Sequence, residues 1–313
     1  MKTPLPLPAA LKGRPFTAAE AGQAGVSAKR LRHRSLTRLG KGIREDGPTT
    51  EQPLSTRVRP FIEVNKRCAA SHLTAAGLLS LPLRLRKEKP DMHHIIRPEG
   101  EAHLDRPHVI VHRMKLYDDE VTVHEGIPVT TPERTWLDLA ELLSLDALVV
   151  AGDSCARVPR PELEGRDMPL CSVSDLQRMI DRHKGKRGIR KAKEAIQLIR
   201  VGSDSPQETL LRLALVRAGL PEPELNVPII DDTGRRHHEP DLSYRKYRIG
   251  IEYEGEHHAE EGQIARDITR SERYAALGWT EVRISKRHMV NDAKPAAAKV
   301  LVALVQAGWR RGS

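Results

Sequence analysis

The acids between residues 240 and 254 are the side chains whose types and spacing point most directly to chemistry. The run Ile249-Gly250-Ile251-Glu252-Tyr253-Glu254 reads as a strand. Successive side chains of a strand point to opposite faces, so Glu252 and Glu254 share one face and Ile249, Ile251 and Tyr253 the other. Asp241 ends a preceding strand 11 residues before Glu252, and a hairpin-length return sets its carboxylate beside Glu252. Acids converging in the middle of a sheet are costly unless a cation neutralises them. All-oxygen ligands suit Mg²⁺ or Mn²⁺ rather than zinc. Such an ion polarises a phosphoryl oxygen and lowers the pKa of an attacking water, so phosphodiester hydrolysis is the expected reaction.

The surrounding pattern supplies elements to hold these groups. Ser205 caps a helix with Pro206 at its first position, and Gly219 closes it. Strands are expected over Asn226–Ile230, His237–Tyr244 and Arg248–Glu254, with the Asp231-Asp232-Thr233-Gly234 turn between the first two. A helix over Gln263–Leu277, a strand over Glu281–Ser285 and a last helix over Asp292–Gln306 complete the order αβββαβα. Glu208 has a simpler role available, as the acid of a capping box with Ser205. Asp267 and Arg270 have the spacing of a helix ion pair, and His237, His238 and His257 read as surface residues.

At the other end of the chain the signal is charge. The first 44 residues hold ten Lys and Arg against the single acid Glu20, which accounts for nearly all of the net charge of +10. Thr17 caps a short helix with Glu20 completing a capping box, and Gly25 stops it. Ser27 caps a second helix, from Ala28 to about Leu39. Its Ala28, Leu31, Ser35 and Leu39 share a face, while Lys29, Arg30, Arg32 and Arg34 point elsewhere. This is a helix-turn-helix pattern with a basic second helix, suited to phosphates along a major groove. Arg38 and Lys41 extend the DNA-binding set, and Arg44 follows on a turn or wing.

Residues 46–60 are rich in Pro, Thr and Ser and read as a linker or wing. Beyond them lie strands near Val109–Val111 and Val121–Val123, a Thr131-capped helix, a Ser144-capped helix, and a helix over Gly188–Ile199. The basic run Lys184–Lys193 reads as a solvated face. No phosphate-binding loop is present. Cys68, Cys155 and Cys171 have neither disulfide nor zinc-knuckle spacing. No apolar run approaches the roughly 18 residues of a membrane span, and prolines interrupt the N-terminus where a signal peptide needs an apolar stretch. These features lead to an expected cytoplasmic location with no membrane partner.

With those residues in view, Pro240-Asp241 and Glu252-Tyr253-Glu254 resemble the motif of the PD-(D/E)xK nuclease superfamily. The stretch IEYEGEHH, Asp267 to Arg270, Leu277-Gly278-Trp279 and Val282-Arg283 are similar to its very-short-patch-repair endonuclease branch. The resemblance covers roughly residues 204–290. It implies Mg²⁺ or Mn²⁺ at Asp241, Glu252 and the Tyr253 carbonyl, and a helical acid at Glu208. Glu254 stands where the superfamily has Lys and the branch has Asp. Water orientation then falls to Glu254 or His258, with Arg270 and Gln263 as further candidates.

The stretch FTAAEAGQAGVSAKRLRHRSLTRLGKGI resembles the winged-helix modules of abortive-infection antitoxins, and VTTPERTWLDLA resembles a segment that follows such modules. The expected organisation is a mixed α+β or α/β chain. It has a winged-helix-like module over 1–60, a middle region over 61–203, and a restriction-endonuclease-like domain over 204–313. The expected function is a metal-dependent DNA endonuclease. The alternative is a non-catalytic, antitoxin-like DNA-binding regulator that keeps the nuclease fold as scaffold.

Overall fold

The computed structural model describes residues 5–47, 51–83, 92–101, 104–160, 164–254 and 270–311. The class is mixed α+β, with three sheets among the described residues. The chain forms two compact units, one of residues 1–143 and 174–192, the other of 144–173 and 193–313. Among the described residues no helix is long and apolar enough to cross a membrane. The three cysteines are buried, and none of them is in a disulfide.

The first unit opens with a small antiparallel sheet of order β1-β3-β2, built from β1 (Pro15–Thr17), β2 (Thr37–Gly40) and β3 (Ile43–Glu45). Its core is Leu7, Leu11, Phe16, Ala21 and Leu36. The expected helix from Ala28 to about Leu39 is replaced by one turn, Ala28–Leu31, and then β2. Ser27 does cap that turn, accepting the Arg30 N–H at 3.2 Å. His33 Nδ1 then accepts the Ser35 N–H at 3.2 Å. A side chain that takes a nearby peptide N–H competes with helix continuation, and β-branched Thr37 favours the strand that follows. Thr17 likewise caps Ala18–Gln23 by accepting the Glu20 N–H at 3.0 Å. The return half of the expected capping box gives way to an ion pair between the Glu20 carboxylate and Arg14.

The second sheet of this unit has the order β6-β5-β4-β8-β7. Its strands are β4 (Ala69–Ala70), β5 (His93–Pro98), β6 (Val109–Met114), β7 (Val121–His124) and β8 (Ile127–Thr130). Helices Leu54–Glu63 and His72–Leu78 pack apolar residues such as Val58, Phe61 and Ala75 against Ile95, Ile127 and Val129. Thr131 caps Pro132–Leu139. That helix carries Arg134, which is fully buried between Glu120 and Asp138. His183 donates a further hydrogen bond to Glu120 at 2.6 Å when its Nε2 carries the proton. The basic run after it is only partly a solvated face. Lys186 lies 3.1 Å from Asp138, and Lys191 donates to the Leu143 carbonyl. Gly188, at φ +84°, lets the chain pass Ala140 so closely that a Cβ there would meet its carbonyl carbon at 2.7 Å.

The second unit has the sheet order β12-β11-β10-β9, from β9 (Glu224–Leu225), β10 (Leu242–Tyr244), β11 (Ile249–Glu254) and β12 (Thr280–Ser285). β10 and β11 are antiparallel, and β11 and β12 are parallel. Helices Pro206–Arg217 and Val290–Gln306 enclose a core of Leu211, Leu215, Leu242, Ile249, Ile251 and Val300. Two expected strands are much shorter or displaced. Asn226–Ile230 is not a strand apart from an Ile230–Arg236 bridge, and the strand expected from His237 begins at Leu242. Pro228 and Pro240 lack the N–H a ladder needs, and Asn226 has φ 46°. The expected turn is present, since Asp231 Oδ1 accepts the Thr233 and Arg235 N–H groups. The helix expected over Gln263–Leu277 is described over 270–276, and its beginning lies outside the described residues.

The buried Arg134 predicts a large loss on truncation. Arg134→Ala leaves Glu120 and Asp138 buried without their shared cation and should lower the unfolding free energy by about 3–5 kcal/mol. Chemical denaturation checks this, and a loss under about 1 kcal/mol would show that the network does not hold the unit.

Candidate functional site

In the second unit β11 carries the acids. Ile249 and Ile251 face the core, and Glu252 lies on the opposite side of the strand, also buried. Leu242 pairs with Ile251, so one further step in that register sets Asp241 opposite Glu252. The Tyr253 N–H donates to Asp241 Oδ2 at 2.6 Å. Glu252 Oε1 accepts from the Tyr274 hydroxyl at 2.6 Å and contacts His238 Nε2 at 2.7 Å. Tyr274 gets this close because residue 250 is glycine. A Cβ at Gly250 would lie 2.5 Å from the tyrosine ring and hydroxyl.

Glu208 stands behind this pair. Its backbone N–H donates to Ser205 Oγ at 3.2 Å, while its carboxylate accepts from the Asp204 N–H at 2.8 Å and Asn226 Nδ2 at 2.9 Å. It is therefore a cap, yet its charge also reaches Asp241. Burial first, then the Glu208 and Glu252 charges, push the Asp241 carboxyl up to about 7. Burial likewise raises Glu208. The Tyr274 hydroxyl is also raised, by burial and by the adjacent Glu252 carboxylate.

Glu254, at the end of β11, is half-exposed. It lies 3.3 Å from Arg283 and 3.5 Å from Arg270, and Arg270 also pairs with Glu281 at 2.8 Å. Two arginines thus hold it, whereas the hydrogen bonds of Asp241 and Glu252 among the described residues come from a peptide N–H, a tyrosine and a histidine. Gln263, His257, His258 and Asp267 lie outside the described residues. Among the described residues, no three of these acids bring one ligand atom each within 4.8 Å of the others. Mg²⁺ is often held by one or two carboxylates with waters completing its octahedron, so the Asp241–Glu252 pair remains of a fitting chemical kind.

Sequence reasoning missed two members of this arrangement. His238, expected at the surface, is half-buried against Glu252. Tyr274 lies one helical turn beyond Arg270, a spacing that places both on one face of their helix. No motif announces either residue.

In the first unit the basic side chains divide by role. Lys29, Arg32, Arg34, Arg38 and Lys41 are exposed, with Arg38 on β2 and Lys41 at the β2–β3 turn. Arg30 instead donates to the Leu5 carbonyl at 2.8 Å and to Ser35 Oγ at 3.0 Å. Arg44 donates to the carbonyls of Leu31 at 2.8 Å and Ile43 at 2.9 Å. Arg44 thus pins the hairpin to the helical turn, and Arg30 ties that turn to the N-terminal segment and to Ser35. The exposed cations therefore come from a one-turn helix and a wing, not from one long helix.

Similarity to known proteins falls on a different stretch. The family described as AbiEi antitoxin C-terminal domain matches residues 69–181, less than half of the chain. That stretch includes VTTPERTWLDLA and most of the middle region. Uncharacterized proteins of Mycobacterium tuberculosis strains CDC 1551 / Oshkosh and H37Rv are each 30% identical over 160 residues, 51% of this chain and 55% of theirs. The chain thus matches little more than half the length of these relatives. No solved structure matches.

The raised Asp241 carboxyl has a measurable consequence. In the folded chain it keeps its proton up to about pH 7, against an ordinary value of 3.8 when unfolded. The folded state binds the extra proton between those values, so its contribution to stability is present at low pH and lost as pH rises through 7. Asp241→Asn, which cannot ionise, should gain on wild type from pH 4 to 7 and then plateau. The gain should be on the order of 2–4 kcal/mol. Urea denaturation in chelator across this range checks it, and a pH-independent difference would refute it.

Proposed function

We propose that this protein is an antitoxin-like, DNA-binding regulator. The observation that carries the reading is the antitoxin-family match over residues 69–181, directly downstream of a small winged module with exposed cations. The excess charge of the first 44 residues suits a polyanion. Lys29 and Arg32 on the helical turn, with Arg34, Arg38 and Lys41 towards the wing, are the proposed phosphate contacts.

Fluorescence anisotropy with a labelled mixed-sequence duplex tests this. Affinity should fall steeply with NaCl, because each neutralised phosphate releases counterions. The pair Lys29→Ala and Arg32→Ala should weaken binding and reduce the salt slope by about one for each phosphate left without its cation. Arg30→Ala and Arg44→Ala should instead lower stability, since their side chains tie the module together. Binding that ignores salt, or survives removal of both Lys29 and Arg32 unchanged, would remove the DNA-binding role.

A second reading is supported by the raised Asp241 carboxyl beside Glu252. In it, residues 204–313 act as a metal-dependent DNA endonuclease, with Mg²⁺ or Mn²⁺ at Asp241, Glu252 and the Tyr253 carbonyl. The ion would supply Lewis-acid activation of phosphate and water. Glu208 would set the field at Asp241, and Glu254 or His258 would orient water. Nicking of supercoiled plasmid with Mg²⁺ or Mn²⁺ separates the two readings. Cleavage by wild type that disappears in Asp241→Asn supports the enzyme, and an inactive wild type leaves the fold as a scaffold.

A further inference from the structure

A different cluster lies in the first unit, inside the stretch that matches the antitoxin family. Two neighbouring strands of the larger sheet, and the segment that follows a third, each deliver one imidazole. His94 is on β5 and His112 on β6, where His94 pairs with Ile110. His112 is two residues further along, so both rings share a face of the sheet. His72 follows β4 at the start of helix His72–Leu78. Its φ of 47° is unusual for a residue with a side chain, and such strain persists only where the surroundings enforce it.

The three rings are in contact. His72 and His112 stack with centroids 3.5 Å apart, and His94 Nδ1 lies 2.9 Å from His112 Nε2. One ring nitrogen from each residue lies within 4.8 Å of the other two. Glu141 flanks the group, with Oε1 3.0 Å from His72 Nε2 and 3.7 Å from His112 Nδ1, the ring nitrogen opposite the one that meets His94. His72 and His94 are buried, and His112 and Glu141 are nearly so. Among the described residues this is the one group of three such side chains with metal-compatible spacing.

We infer that His72, His94 and His112 form a binding site for a zinc-type divalent transition ion, with Glu141 as the acid beside it. Three imidazoles are a ligand set suited to zinc, cobalt and nickel rather than magnesium. Tetrahedral coordination at about 2.0–2.1 Å needs ligand nitrogens roughly 3.4 Å apart, which small ring rotations supply from the present spacing. Ser71 Oγ, 3.0 Å from His72 Nδ1, holds that ring, a kind of outer contact usual around a metal-bound histidine. Three protein ligands leave a fourth position for a water or another small donor, and the ion ties β5 and β6 to the segment after β4.

The test uses the full chain, stripped with chelator and titrated with Zn²⁺ and with Co²⁺. Wild type should bind one ion per chain, melt several degrees higher with Zn²⁺, and give the visible absorption of tetrahedral Co²⁺. His112→Gln and His94→Gln should each weaken binding at least tenfold, whereas His124→Gln, on β7 at the opposite edge of the same sheet from β6, should leave the stoichiometry unchanged. Should the first two variants fail to fold, imidazole ¹⁵N shifts of wild type decide, since His72, His94 and His112 must all move on adding Zn²⁺. A folded wild type that binds neither ion at micromolar concentration would overturn the site. So would binding that persists unchanged in His112→Gln, or imidazole shifts that stay put.

Discussion

Arg134 sits at the centre of the first unit with none of its side chain exposed, and it is tolerable there only because Glu120 and Asp138 flank it. An unpaired charge at that depth would cost several kcal/mol. The two acids come from different places. Glu120 precedes β7, whereas Asp138 is one helical turn after Arg134. Their meeting therefore fixes how helix Pro132–Leu139 lies against the edge of the five-stranded sheet. His183, Arg182 and Lys186 bring three further cations or hydrogen-bond donors from the 174–192 segment to the same acids. A segment distant in sequence is thus locked into the first unit by charge as well as by apolar burial. The second unit has a smaller counterpart in the buried Arg212–Asp153 pair, at 3.0 Å, where Asp153 also accepts from Thr209.

The acids of β11 show the opposite state of affairs. Asp241, Glu208 and Glu252 lie close enough to raise the proton affinity of Asp241. Among the described residues, the hydrogen bonds to Asp241 and Glu208 come from peptide N–H groups and Asn226 rather than from arginine or lysine. These bonds, and that from Tyr274 to Glu252, moderate the repulsion, but a neutral donor offsets less charge than a cation. Perturbed carboxyls of this kind gather at functional sites, although structural networks also produce them. Glu254, with two arginines against it, has been drawn into an ordinary surface ion-pair network. The position that most distinguishes this chain from the nuclease motif is therefore also the one whose charge is already satisfied.

The antitoxin match and the histidine cluster fall on the same residues. The cluster takes its members from β5, β6 and the segments after β4 and after helix Pro132–Leu139, all within 69–181. Its acid, Glu141, also feels Lys186, whose ammonium pairs with Asp138 of the Arg134 network. Two polar systems of the first unit thus share a cation. A change at either one shifts the electrostatics of the other.

Local chemistry is legible without coordinates wherever a side chain acts on its own backbone. Thr17, Ser27, Thr131, Ser144 and Ser205 all cap helices, because a cap needs only the next three residues. The β10–β11 return and the alternation along β11 are readable for the same reason. The length of the Ala28 helix is not, because a heptad-like face looks the same whether it packs as a helix or gives way to a wing. The strands expected around Asn226 and His237 fail where Pro228 and Pro240 remove ladder donors. The histidine cluster has no sequence signature at all. Its members are 22, 18 and 29 positions apart, and only the order in which β4, β5 and β6 pair sets them side by side. Composition and periodicity determine which elements form and where charge accumulates. Which distant side chains share a buried space is decided by strand order and register, because those are set by the packing of the whole sheet.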